Sequence, residues 1–123
     1  MAYSPTSLAG FIQEDLEKME GKREPVKANV FKRFGIKKVS PFELHVNPDD
    51  EFSMAHVGPN GSIVENYCSI ARRDDAIGRP VYEEPIIVVK LRSEGYMMLN
   101  GHHRWAGAIR AGVPKVRISI ENP

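Results

Sequence analysis

In the stretch SLAGFIQEDLEKMEG, residues 7 to 21, Leu8, Phe11, Ile12, Leu16 and Met19 recur at three- and four-residue steps and predict one amphipathic helix. Thr6 or Ser7 is placed to cap its start and Gly21 to stop it. IKKV predicts a short strand that leads into Ser40-Pro41, where the serine caps a turn, PFEL, with proline at the first helical position. The Asn, Pro and Asp content of HVNPDDEF predicts a loop. After the Pro59-Asn60-Gly61 turn, Ser62 and Glu65 have the spacing of a capping box. They open a second predicted helix with Ile63, Val64, Tyr67, Ile70 and Ala71 on its inner face. ARRDDAIGRPVYE shows no periodicity and predicts a loop.

The C-terminal half has the stronger pattern. EPIIVVKL is a β-branched apolar run, as expected of a strand buried on both faces, and YMMLN returns after the RSEG turn as a second strand. HHRWAGAIRA predicts a third helix, with Trp105, Ala108 and Ile109 as core, ended by Gly112 and Pro114. In KVRISI, Val116, Ile118 and Ile120 alternate as a final strand. The sum is a small α/β (α+β) domain whose sheet comes mostly from residues after 84.

Composition adds bounds to this pattern. With 123 residues, 41% of them hydrophobic, the chain fits one domain with a core of its own. A formal charge of +1 implies no overall attraction to nucleic acid or membrane. Residues 22 to 38 are the exception, with seven basic side chains against one acid, Glu24. This run reads as a solvated link between an N-terminal helical arm (1–35) and the main body (36–123), or as a nucleic-acid contact. Cys68 is the only cysteine, so no internal disulfide forms; no secretory signal or membrane-spanning run is present, and a cytoplasmic location is expected.

Chemistry concentrates at residues 97 to 112, MMLNGHHRWAGAIRAG. If YMML is a strand and the helix begins near His102, Asn100-Gly101 is a strand-to-helix turn facing the free N–H groups and positive dipole end of that helix. Such a turn suits phosphate. Gly101 permits close approach, Arg104 supplies a forked cationic grip, and His102 and His103 add donors. Adjacent helical residues diverge by roughly 100 degrees, which argues against a shared zinc on the two histidines. Cys68 lies in an apolar helical pattern and reads as core.

The stretch EPIIVVKLRSEGYMMLNGHHRWAGAIRAGVPKVRISI resembles the core of the ParB/sulfiredoxin superfamily: a Pro-Ile strand, a hairpin, a Gly-x-[His/Arg]-Arg box opening a helix, and a closing strand. The likeness extends over about residues 36 to 120 through SPFELHVNP and the helix ending CSIA. It implies a compact mixed sheet with packed helices. Sulfiredoxins carry a catalytic cysteine where this chain has His102, and ParB proteins bind CTP through a Gly-Glu-Arg-Arg version of the box. GHHRWAG is most similar to the box of ADP-dependent free serine kinases, which implies a nucleotide (ATP, ADP or CTP) held by Gly101, His102, His103 and Arg104, with Mg2+ as a companion ion. Those kinases have an aspartate where this chain has Asn100, and an acidic base in the loop that corresponds to NPDDEF. Asp50 is the best match for that base, Asn100 would orient a hydroxyl or phosphate, and Asp49 with Asp50 would reach a metal ion; an exposed acidic loop is the plainer reading of the same residues. The expected activity is phosphoryl transfer to a small hydroxyl compound such as serine. The alternative is a ParB-like nucleic-acid-associated binding module, or a protein of the ParB-like nuclease type, that uses the basic run 22 to 38.

Overall fold

The computed structural model describes residues 8–27, 35–54 and 56–121. The proposed caps Thr6 and Ser7 and the central part of the basic run, with Phe31, Lys32, Arg33 and Phe34, lie outside them. The elements are α1 (Leu8–Lys18), β1 (Gly35–Val39), β2 (Leu44–His45), α2 (Gly61–Ala76), β3 (Ile86–Lys90), β4 (Tyr96–Asn100), α3 (His102–Ala111) and β5 (Val116–Ile120). They build a mixed α+β domain around one five-stranded sheet of order β1-β5-β3-β4-β2. The β3–β4 hairpin is antiparallel, β5 returns parallel to β3 after α3, and β1 closes the far edge antiparallel to β5.

Ile86, Val88, Met98 and Ile118 are fully buried and meet Trp105, Ala106 and Ala108 of α3 in the main core. α2 and α3 pack at very short range. A Cβ added to Gly107 would lie 2.7 Å from the Cβ of Tyr67 and 2.8 Å from the backbone N of Cys68, so only glycine admits this approach. Cys68 is buried in that contact, as its apolar setting predicts.

Three expectations for α2 are corrected. Its cap is Asn60, whose Oδ1 accepts the Ile63 N–H at 3.2 Å; Ser62 already lies inside the helix. The helix also continues through ARRDDA. Val64, Cys68, Ala71 and Asp74 form one buried stripe, and the polar Asp74 conceals its last member from a hydrophobic count. Asp74 is accepted there because its Oδ2 receives the Tyr82 N–H at 2.9 Å. Ile63, expected inside, is 41% exposed.

The HVNPDDEF loop starts with a strand that its composition did not indicate. Leu44 and His45 pair parallel with Tyr96 and Met97 of β4. His45 is buried, and its Nδ1 meets Asp15 Oδ1 of α1 at 2.8 Å, while the Val46 N–H donates to Asp15 Oδ2 at 2.9 Å. Upstream, Ser40 and Glu43 form the capping box of a 3-10 turn at Pro41–Glu43. Pro41 O in turn accepts the Trp105 indole N–H at 2.9 Å. No helix among the described residues is long and apolar enough to cross a membrane.

Candidate phosphate site at the start of α3

β4 ends at Asn100 and α3 begins at His102, with Gly101 between them at φ 99°, a left-handed conformation that side chains disfavour. Space is also short, since a Cβ there would sit 3.1 Å from an Arg104 guanidinium nitrogen and 3.2 Å from Ile86. The first bond within the helix runs from Trp105 N–H to Gly101 O, at 2.9 Å. The N–H groups of His102, His103 and Arg104 precede it and remain available to a ligand.

Three potential cations at a helix N-terminus oppose its dipole, and the structure shows how that conflict is relieved. The Nε2 of His102 accepts the Asn47 N–H at 3.0 Å, and the Nε2 of His103 accepts the Asn60 N–H at 3.0 Å. Each ring is therefore a neutral imidazole with its proton on Nδ1. Burial holds the pKa of both below the ordinary value, against the opposing charge of Asp50. The rings thus pin two loops to one helix start, with Phe52 packed against both at centroid distances of 5.3 and 5.0 Å. The sequence expectation assigned both histidines to phosphate, yet their Nε2 atoms are taken by backbone and only Nδ1 is left to donate.

His102 is 3% exposed, its Nδ1 makes no hydrogen bond, and it faces Asp50 Oδ2 at 3.6 Å. Asp50 caps the 3-10 turn Glu51–Ser53 by accepting the Phe52 N–H on Oδ1 at 2.9 Å, and its Oδ2 is the oxygen turned to His102. Arg104 is anchored sideways, its Nη1 donating to Glu84 O at 2.9 Å and Pro85 O at 3.0 Å. Only part of its fork remains for an anion.

Asp50, Asn100, Gly101, His102, His103 and Arg104 all line one cavity of about 190 Å3. Residues half the chain apart thus meet across an open space. Ile63 and Tyr67 complete its lining and were legible only as inner-face positions of a helix. Asp49 is exposed and does not line it; its N–H donates to Asn47 Oδ1. Among the described residues no three His, Cys, Asp or Glu side chains group to hold a metal ion. A lone carboxylate such as Asp50 suits Mg2+ only in company with phosphate oxygens and water.

No known family description matches the chain, and no curated protein matches it. Solved structures do. The C-terminally truncated chromosome-partitioning protein ParB from Caulobacter crescentus, complexed with CTP-gamma-S, superposes with a TM-score of 0.56 at 22% identity, over 72% of this chain and 45% of that one. Sulfiredoxin from Arabidopsis thaliana gives 0.51 at 18% identity, over 72% of this chain and 85% of that one. The chain has the ParB/sulfiredoxin fold. The same truncated Caulobacter ParB, complexed to the centromeric parS site, gives 0.51 at 22% identity, over 70% and 39% of the two chains. The chain thus spans less than half the length of these ParB chains.

Proposed function

We propose that this ParB/sulfiredoxin-like domain binds the phosphates of a nucleotide on the Asn100–Arg104 turn, and that Asp50 serves there as base for transfer to a small hydroxyl compound. One observation carries the reading: the cavity that gathers the glycine turn, the free helix N–H groups and Arg104 is also lined by Asp50, whose Oδ2 lies 3.6 Å from His102 Nδ1 and accepts no hydrogen bond among the described residues. The ParB neighbour complexed with CTP-gamma-S supports the nucleotide part. At about 190 Å3 the cavity is smaller than the roughly 300 Å3 at which pockets enclose a whole small molecule, so it fits a phosphate chain with base and ribose extending outward.

In that arrangement the N–H groups of His103 and Arg104 and the remaining Arg104 fork neutralise the phosphoryl oxygens. Asp50 Oδ2 takes the proton of the attacking hydroxyl, and the Asn100 amide orients that hydroxyl by hydrogen bonds. A bound Mg2+ would supply further neutralisation of the phosphate charge beside Asp50. ATP, ADP and CTP all satisfy this chemistry, and serine is one acceptor of the right class.

The test is calorimetric titration with ATP, ADP and CTP, with and without Mg2+, beside an assay of phosphate transfer to L-serine. Arg104→Ala is expected to weaken nucleotide binding by about 1.5 to 3 kcal/mol, as loss of charge-assisted bonds does. Asp50→Asn is expected to leave affinity nearly intact and abolish transfer. Unchanged affinity in a folded Arg104 variant places the phosphates elsewhere; transfer at the wild-type rate in Asp50→Asn removes Asp50 as base.

Contact with nucleic acid through residues 22 to 38 is the rival, and its support is the neighbour solved on parS. Part of the run has internal work, since Arg23 donates to Leu16 O at 2.6 Å. DNA binding that falls steeply with added salt would favour this rival.

A further inference from the structure

Arg104 and Tyr67 also line a second, larger cavity, of about 570 Å3, between α2, the 79–85 segment and β5. Arg73, Arg79 and Arg117 join Arg104 in its lining. Two of these guanidiniums are immobilised by backbone: Arg117 Nη2 donates to Tyr82 O at 2.5 Å and Glu83 O at 2.7 Å, and Arg104 Nη1 holds Glu84 O and Pro85 O.

Three acids, Asp74, Glu83 and Glu84, line the cavity beside the four arginines and offset their charge only in part. Asp74 is buried and already engaged, by the Tyr82 N–H and by Arg73 at 3.2 Å. Glu83 and Glu84 are exposed, give their carbonyls to the arginines, and form no side-chain ion pair among the described residues. Arg79 has no side-chain partner among the described residues, and Arg117 Nε is buried without one. Tyr67, Ile70 and Pro80 provide the apolar lining.

The wall is also strained. Tyr82 has φ 66°, alone among the described non-glycine residues, a conformation that costs on the order of 1 to 3 kcal/mol and collects at functional sites. Three bonds hold it: its N–H to Asp74, its carbonyl to Arg117, and its hydroxyl to Arg104 O at 2.5 Å.

We propose that this cavity binds a small organic anion: a carboxylate or phosphate group, met by Arg79 and its neighbouring arginines, on a flat or apolar body lying against Tyr67 and Ile70. Its volume falls within the roughly 300 to 1,000 Å3 of pockets that enclose small molecules. A bare inorganic ion would leave most of it unfilled. The two cavities share Tyr67 and Arg104, but the proposal turns on Arg79 and Ile70, which do not line the smaller one, and so does not rest on the nucleotide reading.

The test is an NMR titration of the 15N-labelled full chain with phenyl phosphate, benzoate, neutral benzamide and inorganic phosphate. Phenyl phosphate or benzoate is expected to produce saturable shifts at Ile70, Arg79 and Tyr82, and the stronger of the two identifies the anionic group. Benzamide and inorganic phosphate are each expected to bind about tenfold more weakly or less, since each lacks one half of the recognition. Arg79→Ala is expected to cost the preferred anion about tenfold in affinity with the spectrum otherwise intact, and Arg79→Gln serves if alanine disturbs the fold. Benzamide or inorganic phosphate binding as tightly as the preferred anion, no saturable shift with any probe, or an Arg79 variant of wild-type affinity overturns the proposal. Absence of nucleotide binding at Gly101 changes none of these outcomes.

Discussion

His102 and His103 titrate in opposition to the fold. Their folded pKa values lie below the ordinary 6.5, chiefly through burial, so under acid the unfolded chain takes up protons before the folded one does. Their contribution to stability is fully present above 6.5 and is lost as pH falls below it toward the lowered folded values. The urea midpoint is therefore expected to be level above that pH and to decline beneath it, and His102→Gln is expected to flatten part of the decline. A wild-type midpoint that rises on acidification would contradict the assignment of both rings as neutral acceptors. The sequence displayed these residues plainly, and the turn glycine with them, because strand, glycine and helix are contiguous. What the two imidazoles do was not legible: their partners, Asn47 and Asn60, lie 55 and 43 residues away, and nothing in local spacing distinguishes an acceptor ring from a donor.

Between elements, the α2–α3 contact governs the geometry of both cavities. Gly107→Ala would improve helix propensity by up to about 1 kcal/mol. The added methyl meets the backbone of α2, which cannot rotate aside, and overpacking of this kind costs about 1 to 3 kcal/mol. A net loss of stability in chemical denaturation is expected, with weaker ligand binding as well, since a displaced α2 carries Tyr67 out of both linings. A stabilised variant would show that the helices can separate freely. Apolar periodicity revealed three helices and the strands of the C-terminal half, because there the buried positions apart from His102 are apolar or glycine. It failed where a buried position is polar, at Asp74 in α2 and Asp15 in α1, each paid for by a specific hydrogen-bond partner.

For the molecule as a whole, the larger cavity is the part least visible beforehand. Its arginines come from α2, the following loop, α3 and β5, and only the finished packing brings them together. The placement of α1 was likewise hidden, although its amphipathic face was clear. Phe11 stacks on Trp105 at 5.6 Å and 16°, and Asp15 ties the helix to His45.

The pairing of β1 with β5 carries a kinetic consequence. Residues 35–39 lie on the sheet edge formed by residues 116–120, so every hydrogen bond of that ladder spans most of the chain. The β3–β4 hairpin needs only a short loop closure, whereas β1 must wait for the last strand to be seated, and such distant contacts slow folding. During synthesis the order is stricter still: β1 leaves the ribosome early and has no place to dock until β5 has emerged. Pulse-labelled hydrogen exchange during refolding is expected to protect the amides of β3 and β4 before those of β1. Simultaneous protection of all three strands would mean that the sheet closes in a single step.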